Sequence, residues 1–379
     1  MVICFNASVE AKKALDTLLA SAQFQDSSEV ISMALVNYQV IHQKVLKDGL
    51  VLGDSLSKYQ VSESRHSGSE AASTSTKPVA GEPHVTPAAV GGRNGVPDLF
   101  RLGDTGLEGL DLLPVVPPGT GAESNLPPAR WLFGQYNKLL PVKATCRALL
   151  NLQRQKPGGV TLPGVASEIA SAACGLGDFL KSLDERHQLR REDALSAAFP
   201  SSASGSEGSR LRFANQFVAG LRRGRLEGLP AALRLVALDQ GKEPRLCLTR
   251  AGAEFAVLAN PILDECGEAS PRKLSGAEIE YLLTHIRQHV PEEASAYAAI
   301  VQAIQSGSNS PDELDVYLRQ RFSLPDDTDM AGTFLTTQRT GAISRMVDLD
   351  LIGRKRDGLR VSYVLAPGTA LLKEKVSEL

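Results

Sequence analysis

Arg354, Lys355 and Arg356 stand side by side in the stretch GRKRDG, and Arg360 follows four residues later. Cations this close together on a turn-forming segment suit the binding of phosphate oxygens, since a hairpin tip can clamp a backbone phosphate or enter a minor groove. Upstream, Thr336, Thr337, Gln338 and Arg339 make a run of hydrogen-bonding side chains, and Arg345 follows on the same stretch. Near the start of a helix such residues reach base edges. A second basic run, with Arg222 and Arg223 in LRRGR, belongs to SRLRFANQFVAGLRRGRLEG at 209–228.

Other chemistries find less support. The phosphate-cradling Gly-x-x-x-x-Gly-Lys-Ser/Thr, the Gly-x-Ser-x-Gly elbow and His-Glu-x-x-His are all absent. His285 and His289 are four apart, a spacing that could share a metal, but no third ligand follows at a recognisable distance. The expectation is therefore a non-enzyme with no metal and no cofactor. Five cysteines at 4, 146, 174, 247 and 266 form no Cys-x-x-Cys pair and predict thiols in a reducing cytoplasm. No charged leader precedes an apolar stretch, and no apolar run approaches membrane length, so a cytoplasmic protein without membrane contact is expected.

The elements that must position these residues can be read next. Leu335, Ala342, Met346 and Leu349 fall on one stripe of a helix. DLDLIGRKRDG ends that helix and opens a strand, RDG makes a tight turn, and LRVSYVL returns as a second strand. Helix then ribbon resembles the winged-helix architecture. Residues 331–365 hold six Arg or Lys against three acids, a local net of +3 in a chain whose overall charge is −2. A looser copy lies upstream. Helices at 142–155 and 165–190 precede the basic segment 209–228, expected as a helix that RLEGLP keeps from running straight into the strand, so that this copy is either irregular or without its reading face. LRLVALDQGKEPRLCLT then reads as strand, turn, strand, and Thr249 caps the next helix. Ile279, Leu282, Leu283, Ile286 and Val290 predict a further helix between the two copies.

At the N-terminus Ile3, Phe5 and Ala7 alternate with Val2, Cys4 and Asn6, as in a short half-buried strand. Ser8 can cap a helix with Ala11, Leu15, Leu18 and Leu19 on its apolar side. QFQDSS breaks that helix, and DSSEVISMALVNYQ starts another. Strand, helix, turn, helix in about forty residues, with SSEVISMALVNY as its best motif, resembles the ribbon-helix-helix family of DNA-binding proteins over residues 2–41. The resemblance implies an intertwined homodimer with paired strands in the major groove. Val2, Cys4 and Asn6 would face DNA, with Asn6 able to read an adenine edge and the amides of Ser27 and Ser28 placed to hold a phosphate. The strand carries no charge where the family usually shows Arg, Lys, Thr or Gln. Two readings stay open: a module that dimerises and binds DNA, and one that only dimerises.

From Gln60 to Asp98 there is no Leu, Ile, Met, Phe, Tyr or Trp, so this tract cannot bury enough apolar surface to offset its ordering entropy. An apolar island, PDLFRLGDTGLEGLDLLPVVPPG at 97–119, interrupts the polar sequence. It reads as a strap on the chain's own C-terminal half, or as a peptide that docks a protein partner.

These readings give a mainly α chain with small β-ribbons, in four parts. They are a ribbon-helix-helix module at 1–58, a disordered linker at 59–129, and two winged-helix-like domains in tandem, at 130–268 and 269–379. The function expected is a homodimeric protein that binds double-stranded DNA and regulates transcription. The alternatives are a plasmid-type replication or partition factor, and a non-catalytic interaction protein of a larger complex.

Overall fold

The computed structural model describes residues 95–115, 131–156, 161–202, 207–222, 225–239, 244–266, 271–323, 329–358 and 360–366; for 222 and 329–333 this extends to the backbone alone. The N-terminal module expected at 1–58, with Asn6, Ser27 and Ser28, lies outside the described residues. So do most of the linker and Arg223.

The described part is mainly helical, with three small antiparallel two-stranded sheets. Helix α1 (Leu140–Gln155) and α2 (Leu162–Arg186) come first. A short α3 (Glu207–Phe213) then widens into a π turn over Ala214–Val218. Hairpin β1 (Gly220–Arg222) and β2 (Arg225–Glu227) and one helical turn, α4 (Leu229–Ala232), follow. Next come ribbon β3 (Val236–Asp239) and β4 (Arg245–Leu248) and helix α5 (Arg250–Val257). The chain continues through α6 (Gly276–His289), α7 (Pro291–Gln305), α8 (Pro311–Arg321) and α9 (Asp329–Asp348). It finishes with ribbon β5 (Ile352–Asp357) and β6 (Arg360–Leu365).

Local chemistry accounts for the boundaries. Ser275 and Ser310 open α6 and α8 with complete capping boxes, to Glu278 and Glu313. Thr249 accepts the Gly252 amide at 3.1 Å and caps α5, as its sequence predicts. Gly358, with φ +57°, sits in the two-residue loop between Asp357 and Arg360, where a hairpin of this length needs positive φ. The basic segment 209–228 departs from expectation. Its helix stops at Val218, and Ala219 is already extended at φ −170°. Gly220–Arg222 and Arg225–Glu227 instead pair as antiparallel strands, and Gly228 at φ +119° redirects the chain into α4.

Each half has helices leading into a ribbon, and in each the segment before a helix also bonds to the ribbon's second strand. Thr161, ahead of α2, bridges Arg245 of β4, and the Leu162 amide donates to the Pro244 carbonyl at 3.2 Å. Asn309, ahead of α8, accepts from the Tyr363 amide of β6 at 2.8 Å. One hydrophobic cluster runs through the described residues from Val96 to Tyr363 and joins both halves.

The apolar island lies across that cluster as a strap. Phe100 is fully buried, and Leu99, Leu107, Leu110 and Leu112 pack against the core. The Leu113 amide donates to Leu248 at 3.0 Å, its carbonyl accepts from Arg250 at 2.9 Å, and Asn151 donates to the carbonyls of Leu99 and Arg101.

Helix α1 threads the centre, and two of its cations enter the core. Lys143 Nζ donates to the carbonyls of Phe255 and Leu258, both at 2.6 Å, and pairs with Glu278 at 2.9 Å. One turn on, Arg147 donates to Ala256 and Leu258 and pairs with Asp264 at 2.7 Å. The C-terminal carbonyls of α5, which no further helical turn satisfies, thus receive the positive charge that a helix C-terminus favours. Among the described residues no helix is long and apolar enough to cross a membrane.

Candidate nucleic-acid interface

The β5–β6 ribbon rises from the end of α9 with its base in the core and its tip in solvent. Ile352 and Tyr363 are buried, while Lys355, Arg356, Asp357 and Arg360 are exposed. The register sets Lys355 opposite Ser362, Arg356 opposite Val361 and Asp357 opposite Arg360. Lys355 and Arg360 form no ion pair among the described residues. Arg354 and Arg356 behave differently, because they lie against the loop that follows α2. Arg356 Nε stands 2.9 Å from Glu192, and Arg354 Nη1 stands 3.7 Å from Asp193. Two of the four ribbon cations therefore already have anionic neighbours.

Behind the ribbon is a tighter charge cluster that the sequence did not reveal. Lys138 donates to the Glu192 carbonyl at 3.0 Å. Burial, then the neighbouring positive charge of Lys273, pushes the Lys138 ammonium down to about 8. Lys273 pairs with Asp348 at 2.7 Å, and the other Asp348 oxygen accepts the Leu139 amide at 3.0 Å. Asp348, at the end of α9, thus secures the start of α1. Nothing in the spacing of Lys138, Lys273 and Asp348 announces this meeting. The nearby run RRED at 190–193 was the available signal that this loop carries charge.

Helix α9 was expected to present Thr336, Thr337, Gln338, Arg339 and Arg345 outward. Thr336 is exposed, with its hydroxyl donating to Asp315 at 2.9 Å, and Thr337 is half-buried. The other three turn inward. Gln338 is buried, and its Oε1 finds no hydrogen-bond partner among the described residues. Arg339 is buried and grips Asp315 through Nε at 2.6 Å and Nη2 at 3.1 Å. Arg345 is fully buried, paired with Glu293 and bonded to the Tyr136 carbonyl. These three side chains are held inside the protein and do not share the ribbon's surface.

Arg222 lies on β1, away from the β5–β6 ribbon in the sequence of elements. The exposed cations of that neighbourhood are Arg210 and Arg212 on α3 and Arg225 on β2. His285 is buried, its Nε2 2.8 Å from the Leu233 carbonyl, and burial lowers its pKa. Among the described residues no group of three His, Cys, Asp or Glu is placed to hold a metal ion. No protein-family model, curated protein or solved structure matches the chain.

Proposed function

We propose that the chain is a homodimeric protein that binds double-stranded DNA and regulates transcription in the cytoplasm. The observation that carries this reading is the solvent-facing β5–β6 tip, where Lys355 and Arg360 stand exposed, with no ion pair among the described residues, beside Arg354 and Arg356. Such a tip offers several phosphate contacts at once. The added bond from Asn309 to β6, and its counterpart from Thr161 to β4, support reading the two halves, 130–268 and 269–379, as winged-helix-like. In this reading the N-terminal ribbon-helix-helix at 1–58 pairs two chains, with Asn6, Ser27 and Ser28 as its DNA contacts. The tether lets weak sites act together through effective concentration. Plasmid replication or partition is the variant of this role that the same contacts would serve.

The test is the salt dependence of binding to a pool of randomised duplexes, comparing the full chain with its Arg354→Ala/Arg356→Ala variant. Loss of affinity with salt should be steep, and shallower by about two in log–log slope for the variant. Binding no stronger than that of an unrelated acidic protein at low salt would sink the reading.

A second reading, an interaction protein of a larger complex, draws on the inward turn of Gln338, Arg339 and Arg345. A helix that keeps its polar groups for its own core is suited to scaffolding. A partner would then be sought on the outer, solvent-facing side of the strap at 97–119, since its apolar residues are taken up by the core.

A further inference from the structure

The described surface has a second cationic face, and its charges are less neutralised than those of the ribbon. Arg210 and Arg212 on α3 and Arg225 on β2 are exposed, and none forms an ion pair or a side-chain hydrogen bond among the described residues. Asn215, on the π turn that continues α3, is also exposed, and its amide makes no side-chain hydrogen bond there. Leu211, between the two arginines, is 59% exposed. Helical spacing sets Leu211 and Asn215 on one outward stripe, with Arg212 on one side of it and Arg210 on the other, and the exposed Glu207 one turn before Leu211. The opposite face, Phe213 and Phe217, is buried in the core.

The place of α3 in the fold gives this face a meaning. Helix α3 follows α1 and α2 and precedes the ribbon whose β4 bonds to the segment ahead of α2. Helix α9 follows α7 and α8 and precedes the ribbon whose β6 bonds to the segment ahead of α8. The two helices are third in equivalent series. In α9 the arginines and Gln338 turn inward. In α3 the arginines and Asn215 turn outward. A π turn within a helix is itself frequent at functional sites.

We propose that α3, with the β1–β2 hairpin beside it, is a second DNA-contacting face of the protein and its sequence-reading one. Arg210 and Arg212 contact phosphates, Asn215 pairs with an adenine edge, and Leu211 makes the apolar contact that a thymine methyl accepts. The inference rests on the DNA-binding reading above and adds a site to it. An acidic helix of a protein partner is the competing occupant, since Leu211 and Leu221 also border a cavity of about 550 Å³ between α2 and α3. Three guanidinium groups and one amide without partners among the described residues, at the helix position that precedes the ribbon, favour DNA.

The experiment uses the full chain throughout. Arg210→Ala/Arg212→Ala is compared with the unmodified chain and with Arg354→Ala/Arg356→Ala on the pool of randomised duplexes across salt. The expected result is a slope shallower by about two for the α3 variant, restored by Arg210→Lys/Arg212→Lys, with unchanged thermal unfolding in both. After selection of a preferred duplex, Asn215→Ala should bind it less tightly, by about fivefold to a hundredfold, and tolerate any base at one position. An unaltered slope in the α3 variant, while the ribbon variant loses slope, overturns this inference and leaves the ribbon reading intact. Absence of DNA binding by the unmodified chain removes both.

Discussion

Arg345 and Glu293, on helices α9 and α7, face each other with no solvent access to either side chain, their second contact spanning 2.9 Å from Nη2 to Oε2. The guanidinium also donates to the Tyr136 carbonyl, so it holds a third segment in the same place. A pair sealed this way has little net advantage over apolar residues of the same shape, yet removing one partner strands a buried charge.

Replacing Arg345 with Met should therefore lower the unfolding free energy by about 3–5 kcal/mol in urea titrations, and adding Glu293→Leu should recover most of the loss. A single variant within about 1 kcal/mol of the parent would contradict the sealed geometry.

Lys143 gives a pH signature. Burial pushes its ammonium down to about 8, against the attraction of Glu278. The unfolded chain, with an ordinary lysine pKa near 10.5, binds more protons than the folded one between those values. Its stability contribution is thus complete above pH 10.5 and declines as pH falls through about 8. Relative to Lys143→Met, the unmodified protein should gain stability from about pH 8 to 10.5, by up to ~1.4 kcal/mol per pH unit. A pH-independent difference between the two would reject the assignment.

Helix α9 and the segment 131–136 ahead of α1 meet through two glycines. A Cβ on Gly341 would overlap the Gly134 carbonyl, and one on Gly134 would overlap the Thr337 carbonyl. Alanine normally stabilises a helix interior by about 1 kcal/mol over glycine. Gly341→Ala should do the reverse, at a cost of about 1–3 kcal/mol from overpacking, visible as a lowered urea midpoint with an unchanged slope.

Glu192 and Asp193 occupy ribbon cations that the proposed function assigns to phosphate. The variant Glu192→Gln/Asp193→Asn should bind duplex DNA more tightly, severalfold at low salt, with little change in stability because exposed pairs contribute about 0–1 kcal/mol. Fluorescence anisotropy across salt reads this directly, and weaker binding by the variant would speak against the ribbon as a DNA contact.

The stripe of Leu335, Ala342, Met346 and Leu349, the Thr249 cap and the RDG turn could all be read from the sequence, because spacing, capping and turn chemistry act over a few residues. The inward turn of Arg339 and Arg345 could not. Their partners Asp315 and Glu293 lie 24 and 52 residues away, and a helix covered on several sides shows little polar periodicity to reveal its faces. The stop at Val218 was hidden for a related reason. SRLRFANQFVAGLRR has good local helix formers, and the extended Ala219 followed by hairpin pairing overrides them. Of the candidate interface, the ribbon charges could be anticipated, but not the acids that lie against Arg354 and Arg356.

The strap has a practical consequence for dissecting the chain. Phe100 fills a socket in the core, and Leu113 is stitched between Leu248 and Arg250. A fragment beginning at residue 130, where composition suggests a natural cut, would leave that socket open to water and the edge of β4 uncovered. Any fragment intended to stand alone has to start upstream of Val96, and weak behaviour in a shorter one would report on the missing strap before it reported on function.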